Sequence, residues 1–221
     1  MALPQILSRK EKLPDWIEDC YEVCGYKLRI IRMIGSNLEY SSTIWEAGLV
    51  LCQYFEKEKM DFTGKKVIEL GSGTGIVGIL AALLGGNITL TDQSYVLPQI
   101  QNNMNNNIPA SIMHRSKVSV LCWGENHKDF PSDYDYIIGS DIVYSLSSYN
   151  ALIETLKSLS NPNTVIFISS QMRPFLKVSE FHNSMLPVGF NSEIIFSDNN
   201  AAVNVYKLTK KCPATEAQDR Y

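Results

Sequence analysis

The chain has 221 residues, of which 45% are hydrophobic and 19% charged, and its formal net charge is -3. This length is sufficient for one domain with a full hydrophobic core, and the composition is that of a soluble globular protein. No dense run of Lys or Arg occurs, so no direct nucleic-acid partner is expected. The longest apolar run, near residues 76–84, is too short to span a bilayer, and no membrane partner is expected.

The N-terminus lacks the apolar core of a secretory signal, so we expect a cytoplasmic protein that can also be nuclear. The five cysteines form no CxxC pair, and we predict that they are reduced and mostly buried. The three histidines lie far apart in the sequence without the spacing of metal ligands, so no metal site is predicted. We expect a monomer.

Residues 1–60 are predicted to form an N-terminal extension that packs on the core. The first nineteen residues are polar with two prolines and are expected to be loosely held. The stretch CYEVCGYKLRI alternates apolar and polar residues on both sides of Gly25, which predicts a β-hairpin. From Ser41 the pattern becomes helical, and Ser41 or Ser42 is the predicted N-cap.

Residues 61–210 alternate between predicted strands and helices, and residues 211–221 are expected to be a disordered tail. The Asn-rich run at 102–107 fits a fraying helix end. This order predicts a doubly wound, mostly parallel seven-stranded α/β sheet that finishes in an antiparallel hairpin. The predicted strands are KKVIEL, NITLTD, KVSVL, YDYIIGSD, TVIFISS, EIIF and AVNVYKL, and the predicted helices are GIVGILAALLGG, YVLPQIQNNMNN, SYNALIETLKSL and a segment near 178–185.

The glycine turn VIELGSGTGIVG follows the strand KKVIEL, at the sheet edge where open α/β sheets bind their ligands. It has two interpretations. Gly73 to Gly78 spells GxGxxG, and Asp92 follows Gly73 by 19 residues, which is typical of a dinucleotide-binding enzyme. That pattern alone is weak evidence, and a tight turn without a ligand is the structural alternative.

The second interpretation begins with Glu69 and gives the pattern E-x-G-x-G-x-G, which is typical of methyltransferases that use S-adenosylmethionine. This cofactor has no phosphate, and it carries an ammonium, a sulfonium and a carboxylate. Glu69, an acid at the end of the first strand of the sheet, suits a cationic ligand and would repel a pyrophosphate. Glycines allow the backbone to approach such a ligand closely. Asp92 could accept hydrogen bonds from ribose hydroxyls in either interpretation.

A second group of candidate residues lies in SDIVY, just after the fourth predicted strand. Asp141 and Tyr144 are expected at the same sheet edge as the glycine turn. Alternatively, Asp141 is a helix cap and Tyr144 a core aromatic residue. Trp45 and Trp123 would ordinarily be core residues, but each is predicted at the edge of an element, beside polar residues.

The segments IWEAGLVL, VIELGSGTGIVGILAALLGG, LTD, LCWGEN and SDIVY resemble, in order and spacing, the family-16 seven-strand protein methyltransferases. Their hallmark is Asp-x-x-Tyr after the fourth strand of the sheet. The resemblance implies a Rossmann-like class I methyltransferase that methylates lysine on a non-histone protein and releases S-adenosylhomocysteine. The chain is most similar to the elongation factor 1-alpha branch. A seventy-kilodalton heat-shock chaperone or valosin-containing protein, an ATPase, is the alternative substrate.

The resemblance also implies a cofactor site at this edge of the sheet. It implies that Asp92 binds the ribose and that Ser140 lies beside the adenine-side pocket. Family members often have Ala in place of Ser140, and Val-Trp-Asp-Ala-Ala in place of IWEAG at 44–48. These small departures leave the binding residues in place, so they affect the assignment to a branch of the family more than the predicted activity. The residues implied to contact or wrap the cofactor are Trp45, Gly71, Ser72, Gly73 and Trp123.

Asp141 and Tyr144 are the catalytic candidates. We expect Asp141 to attract and orient the lysine ammonium, and Tyr144 to pack against the lysine stem or the cofactor. Three rival classes stay open on sequence alone, and one of them is a methyltransferase that acts on a small molecule or a nucleic acid. A nicotinamide-dependent oxidoreductase would need a proton donor such as a Tyr-x-x-x-Lys pair, and none is found. A non-catalytic module that only binds the cofactor is the third.

Overall fold

The computed structural model describes residues 15–34 and 38–212. The expected tail from residue 213 onward and the first fourteen residues lie outside this part of the chain. The strands are β1 Trp16–Val23, β2 Tyr26–Met33, β3 Lys66–Leu70, β4 Asn87–Asp92, β5 Ser116–Val120, β6 Tyr136–Ser140, β7 Val165–Gln171, β8 Phe190–Asp198 and β9 Val203–Lys210. The α-helices are α1 Glu46–Lys57, α2 Ile76–Leu83, α3 Leu97–Asn107, α4 Ala110–Met113, α5 Tyr149–Leu159 and α6 Val178–Glu180.

The central sheet has seven strands in the order β5-β4-β3-β6-β7-β9-β8, and β1 and β2 form a separate antiparallel hairpin. The strands from β5 to β7 are parallel, whereas β9 runs antiparallel to both β7 and β8. The predicted fold is therefore confirmed. The chain order reverses direction at β3, so the glycine turn after β3 lies at the switch point where such sheets bind ligands.

Each face of the sheet has its own hydrophobic cluster. Val67 of β3 points to the face covered by α1, α2 and α3, and its neighbour Ile68 points to the face covered by α5. Both side chains are fully buried. Because neighbouring residues of a strand face opposite sides, a strand covered on both faces must be apolar throughout. This explains why the central strands β3, β6 and β7 are mostly apolar.

Two details of the N-terminal prediction are wrong. β1 begins at Trp16, so the last of the first nineteen residues are held in the hairpin. α1 begins at Glu46 with Trp45 in the N-cap position, and Ser41 and Ser42 belong to a 3-10 turn that precedes it. Tertiary contacts cause this difference. The 3-10 turn brings the segment before α1 against the glycine turn, where Gln99 donates a hydrogen bond to the Ser41 carbonyl over 2.8 Å.

The segment predicted as a helix near 178–185 is one turn of α-helix followed by a π-helical turn, Phe181–Met185. The wider turn places His182 flat against the Tyr206 ring, with ring centroids 3.6 Å apart, and its Nε2 lies 2.9 Å from Ser170 Oγ. Burial lowers the pKa of His182 to about 3, so this imidazole is neutral.

Only Cys52 among the five cysteines is buried, so the prediction that most are buried is wrong. Cys24 and Cys122 are half-buried, and Cys20 and Cys212 are exposed. None of the helices in residues 15–34 and 38–212 combines the length and apolarity needed to cross a membrane. Within the same residues, no group of three or more His, Cys, Asp or Glu side chains could hold a metal ion.

The Asn-rich end of α3 is ordered rather than frayed. Gln99, Asn103 and Asn107 are spaced four residues apart on one face of α3, and their side-chain oxygens accept hydrogen bonds from the N–H groups of alternate residues of β2. Four helical residues rise about 6 Å and two strand residues about 6.7 Å, so the two repeats nearly match. We call these three residues the amide ladder; it satisfies the otherwise open edge of the hairpin.

The amide ladder also holds the glycine turn. Asn103, which is fully buried, donates to the carbonyls of Ile31 and Thr74 over 3.0 and 2.9 Å. Gln99 donates to the carbonyl of Gly73 over 3.1 Å. The hairpin, α3 and the turn are therefore joined by one set of side chains.

We expect Asn103→Leu to lower the free energy of unfolding by about 3 kcal/mol, because the Ile31 N–H and the Thr74 carbonyl lose their partner in a buried place. Urea denaturation measures this. Asn106→Leu, at an exposed position on the same helix, is the matched control and should change stability little. Equal losses in the two variants would show that the amide ladder has no special role.

Candidate functional site

The glycine turn has a backbone that only glycine adopts easily. Gly71, Gly73 and Gly75 have φ values of +62°, +56° and +83°. A Cβ on Gly71 would lie 3.2 Å from the Trp123 ring, and one on Gly73 would lie 3.3 Å from the Ser41 carbonyl oxygen. The turn is therefore a close-fitting cradle in which side chains would take up the available space.

Asp92, at the end of β4, holds this cradle. Its Oδ2 accepts from the Gly73 N–H over 2.9 Å, and its Oδ1 accepts from the Gln93 N–H over 2.8 Å. Burial raises the pKa of Asp92, while these two N–H groups act in the opposite direction. Since a carboxylate offers about four acceptor positions, two are left for a ligand, which suits a pair of ribose hydroxyls. The predicted ribose contact stays a prediction.

Ser72 links the turn to the neighbouring strand. The Ser72 hydroxyl accepts from the Thr91 N–H over 3.1 Å, and the Ser72 N–H donates to the Thr91 carbonyl over 2.9 Å. Ser140, at the end of β6, has its Oγ 3.4 Å from the position that a Cβ on Gly48 would take. This hydroxyl therefore lies against α1, and its predicted place beside the adenine-side pocket stays a prediction.

Glu69 lies beneath the glycine turn with 1% of its surface exposed. Burial raises the pKa of Glu69 to about 8, although the Ser72 side chain and the Gly78 N–H lower it. Among the described residues, its Oε2 finds no hydrogen-bond partner. An incompletely satisfied buried carboxyl group beside the cradle fits a cationic ligand, as the sequence predicts, although Oε2 itself points towards Gly78 of α2.

We expect the stability of the ligand-free protein to fall with rising pH because of Glu69. Its pKa is about 8 in the folded chain and 4.5 in the reference state, so the folded state keeps a proton over this range that the unfolded state has lost. The stability contributed by Glu69 is present below pH 4.5 and is lost as the pH rises to about 8.

Glu69→Gln removes this titration. From pH 5 to pH 7.5, the free energy of unfolding of the wild type should fall by roughly 2 to 3 kcal/mol relative to that of the variant. Urea denaturation at several pH values measures the difference in free energy of unfolding between wild type and variant. The test is how this difference changes with pH, not its size at one pH. Glu125→Gln, at an exposed position, controls for the loss of one carboxyl group. A difference independent of pH would contradict the shifted pKa.

Asp141 directly follows β6 and has a φ of +53°, a conformation that Asp and Asn adopt more readily than most other residues. Its N–H donates to the Ser169 carbonyl over 2.8 Å, which fixes the backbone. Its side chain is 3% exposed and forms a bidentate ion pair with Arg173, at 2.8 and 2.7 Å. Strained backbone of this kind is often found at functional sites.

Arg173 follows β7 and is not among the site residues predicted from the sequence. Its guanidinium lies over the Trp45 ring, 5.2 Å from the centroid, and donates to the Gln171 side-chain oxygen over 2.5 Å. No local motif marks this arginine. The one available signal is its position just beyond a strand at the same edge of the sheet as Asp141.

Four aromatic side chains surround the opening of this site, and we call them the aromatic rim: Trp45, Tyr40, Tyr144 and Trp123. Successive pairs in that order have ring centroids 6.4 Å apart. Tyr40 is 64% and Tyr144 44% exposed. Burial raises the pKa of Tyr144, and the negative charge of Asp92 acts in the same direction, so its hydroxyl is neutral near pH 7. The core alternative for Tyr144 is wrong.

The structure therefore brings together at one sheet edge most of the residues that the sequence proposed. Asp92, Trp123, Asp141 and Tyr144 all lie around the glycine turn, and Trp45 joins them through Arg173 and Tyr40. The buried acids and the glycine cradle fit a ligand that carries positive charge and ribose hydroxyls. Such a ligand is S-adenosylmethionine.

Comparison with known proteins agrees with this arrangement. A profile of the family described as lysine methyltransferase matches residues 26–186. A relative from Xenopus tropicalis, named EEF1A lysine methyltransferase 3, is 46% identical over 193 residues, covering 87% of this chain and 85% of the relative. The Danio rerio protein N-lysine methyltransferase METTL21A is 39% identical over 181 residues, covering 81% of this chain and 82% of the relative.

Among solved structures, the T. thermophilus 16S rRNA N2 G1207 methyltransferase in complex with AdoMet and guanosine has a TM-score of 0.63 at 16% identity. The similarity covers 89% of this chain and 51% of that protein, and it shows a shared fold. The family and the relatives confirm the predicted enzyme class, a protein-lysine N-methyltransferase, and its cofactor, S-adenosylmethionine. The dinucleotide interpretation of the glycine turn is thereby set aside. This chain belongs to the lysine methyltransferase family.

Proposed function

We propose that this protein methylates a lysine of translation elongation factor 1-alpha and that Asp141 and Tyr144 receive the lysine side chain. The observation that carries the proposal is the position of Asp141, a buried carboxylate next to the glycine cradle and within the aromatic rim. The substrate is inferred from the name of the relative that is 46% identical over most of both chains. A heat-shock chaperone or valosin-containing protein is the alternative substrate.

When bound, S-adenosylmethionine supplies an electrophilic methyl group on a positively charged sulfonium. Glu69, Ser72, Gly71, Gly73 and Asp92 would hold it from the turn and from β4, and the indoles of the aromatic rim would cover it. The work left to the protein is to align the acceptor amine with the methyl group and to exclude water.

The amine must lose a proton before it can react. A lysine in water has a pKa of roughly 10.4, so deprotonation near pH 7.4 costs about 4 kcal/mol. In this proposal Asp141 accepts a hydrogen bond from the lysine nitrogen and orients it. The exposed ring of Tyr144 packs along the apolar lysine stem, and its neutral hydroxyl accepts or donates one hydrogen bond. The released proton leaves through water at the open rim.

The test is a methylation assay with labelled S-adenosylmethionine in a lysate from cells that lack the enzyme. We expect one labelled protein of the size of elongation factor 1-alpha, and mass spectrometry should place the label on a single lysine. The assay is repeated with purified elongation factor 1-alpha, heat-shock chaperone and valosin-containing protein. Label on either of the other two and not on the elongation factor would overturn the proposed substrate while keeping the reaction.

A further inference from the structure

The pairing of Asp141 with Arg173 raises a question about charge. An isolated carboxylate next to the substrate lysine would stabilise the ammonium form and oppose the loss of the proton. The reaction needs the neutral amine. A site with Asp141 alone would therefore bind the substrate well and activate it poorly.

The hydrogen bonds to Asp141 can be counted. Arg173 donates to Oδ1 and to Oδ2 over 2.8 and 2.7 Å, and the Gln171 N–H approaches Oδ1 at 3.3 Å. A carboxylate has about two acceptor positions on each oxygen, so the donors within residues 15–34 and 38–212 saturate Oδ1 and leave one position on Oδ2. One further donor, such as an N–H of an amine, can still be accepted there.

Arg173 is held firmly in this pair. Its side chain is 17% exposed and that of Asp141 3% exposed, so the pair is shielded from water. The guanidinium is also placed by the Trp45 ring and by the Gln171 side chain. Screened, exposed ion pairs contribute little, whereas a buried bidentate pair fixes both partners.

We propose that Arg173 is a positioning residue that turns Asp141 into a hydrogen-bond acceptor without net charge. This inference rests on the proposed function, because it assumes that the lysine amine meets Asp141. Arg173 aims the free Oδ2 position at the amine and cancels the negative charge that would keep the amine protonated. The lysine pKa in the complex is then lower with Arg173 than without it.

Other titratable groups lie on the loops and helices at this edge of the sheet. Tyr144 lies in the same loop as Asp141, and its neutral hydroxyl adds no charge near pH 7. Asp92 is bound by two backbone N–H groups at the end of β4. The remaining groups on neighbouring elements are Tyr40, Glu46, Tyr95, and the ion pair of Lys177 with Glu180. None of these changes in an Arg173 variant, so the comparison isolates the guanidinium.

The experiment measures kcat against pH, from 6.5 to 10, for the wild type, Arg173→Gln and Arg173→Lys with saturating substrates. In Arg173→Gln we expect kcat at pH 7.5 to fall about tenfold and the rising limb of the profile to move up by about one pH unit, so that most activity returns at high pH. Arg173→Lys keeps the positive charge, so the rising limb of its kcat profile should stay at the wild-type pH. Its kcat should be lower at every pH because the bidentate geometry is lost.

Calorimetric titration with S-adenosylhomocysteine shows whether each variant is folded, and affinity within about threefold of wild type is expected. Loss of activity by the same factor at every pH would overturn the charge role. Higher activity or a lower KM in Arg173→Gln would also overturn it, because Arg173 would then compete with the lysine. If the wild type does not methylate elongation factor 1-alpha, the proposed substrate fails, and the same profiles are measured on the protein labelled in lysate.

Discussion

Asp141→Asn is expected to lower kcat/KM for lysine methylation by at least about 100-fold, the scale of a misplaced reacting group. Asn has the shape of Asp and tolerates the φ of +53° at this position, whereas Ala would add backbone strain. The substitution therefore removes the charge and one acceptor while keeping the backbone. Arg173 loses its bidentate partner, and the amine loses the oxygen that orients it.

The affinity of Asp141→Asn for S-adenosylhomocysteine should stay within about threefold of wild type, because none of the contacts of the glycine turn is changed. Asp133→Asn is the matched control. Asp133 is exposed and precedes β6, whereas Asp141 follows the other end of this strand. A methyltransferase assay with elongation factor 1-alpha gives the rate, and calorimetry gives the affinity. Full activity in Asp141→Asn would remove Asp141 from the catalytic residues.

Asp92→Ala is expected to weaken binding of S-adenosylhomocysteine by about 100-fold. Hydrogen bonds to a charged group contribute roughly 1.5 to 3 kcal/mol each, and the substitution removes those to the ribose. It also frees the Gly73 N–H, so the cradle loses a contact of 2.9 Å that fixes its shape. Calorimetric titration at pH 7.5 measures the effect.

Asp92→Asn distinguishes the two contributions. Its side-chain oxygen can still accept from the Gly73 N–H, but its Nδ2 cannot accept from a hydroxyl. We therefore expect an affinity between those of the wild type and Asp92→Ala. Unchanged affinity in Asp92→Ala would place the ribose elsewhere, and an equal loss in the two variants would assign the effect to the ribose contact alone.

The glycine turn shows which features of the site can be predicted from a short stretch of sequence. The three glycines and the acids at the two neighbouring strand ends could be recognised from their spacing, because a turn of this kind depends on a few consecutive residues. The structure adds that all three glycines have positive φ. The side-chain direction of Glu69 was not readable. Burial and the approach of Gly78 decide it, and both depend on how α2 packs against the sheet.

At the Asn-rich end of α3, the prediction from local sequence is wrong. Taken alone, a run of asparagines is a poor helix former and predicts fraying. The hairpin lies more than sixty residues earlier in the chain, and its open edge supplies the donors that make Gln99, Asn103 and Asn107 essential acceptors. Tertiary contacts here outweigh local propensity.

The sequence by itself determined the order of strands and helices, the family, the cofactor and the sheet edge where the chemistry takes place. The order of elements follows from hydrophobic periodicity, and the family and cofactor follow from the resemblance that short motifs carry. Only the tertiary structure decided that Asp141 is paired with Arg173, that Trp45 lies under the guanidinium, and that Glu69 is buried with a raised pKa. The physical reason is that charge pairing and desolvation depend on distances between residues far apart in sequence, which the fold alone sets.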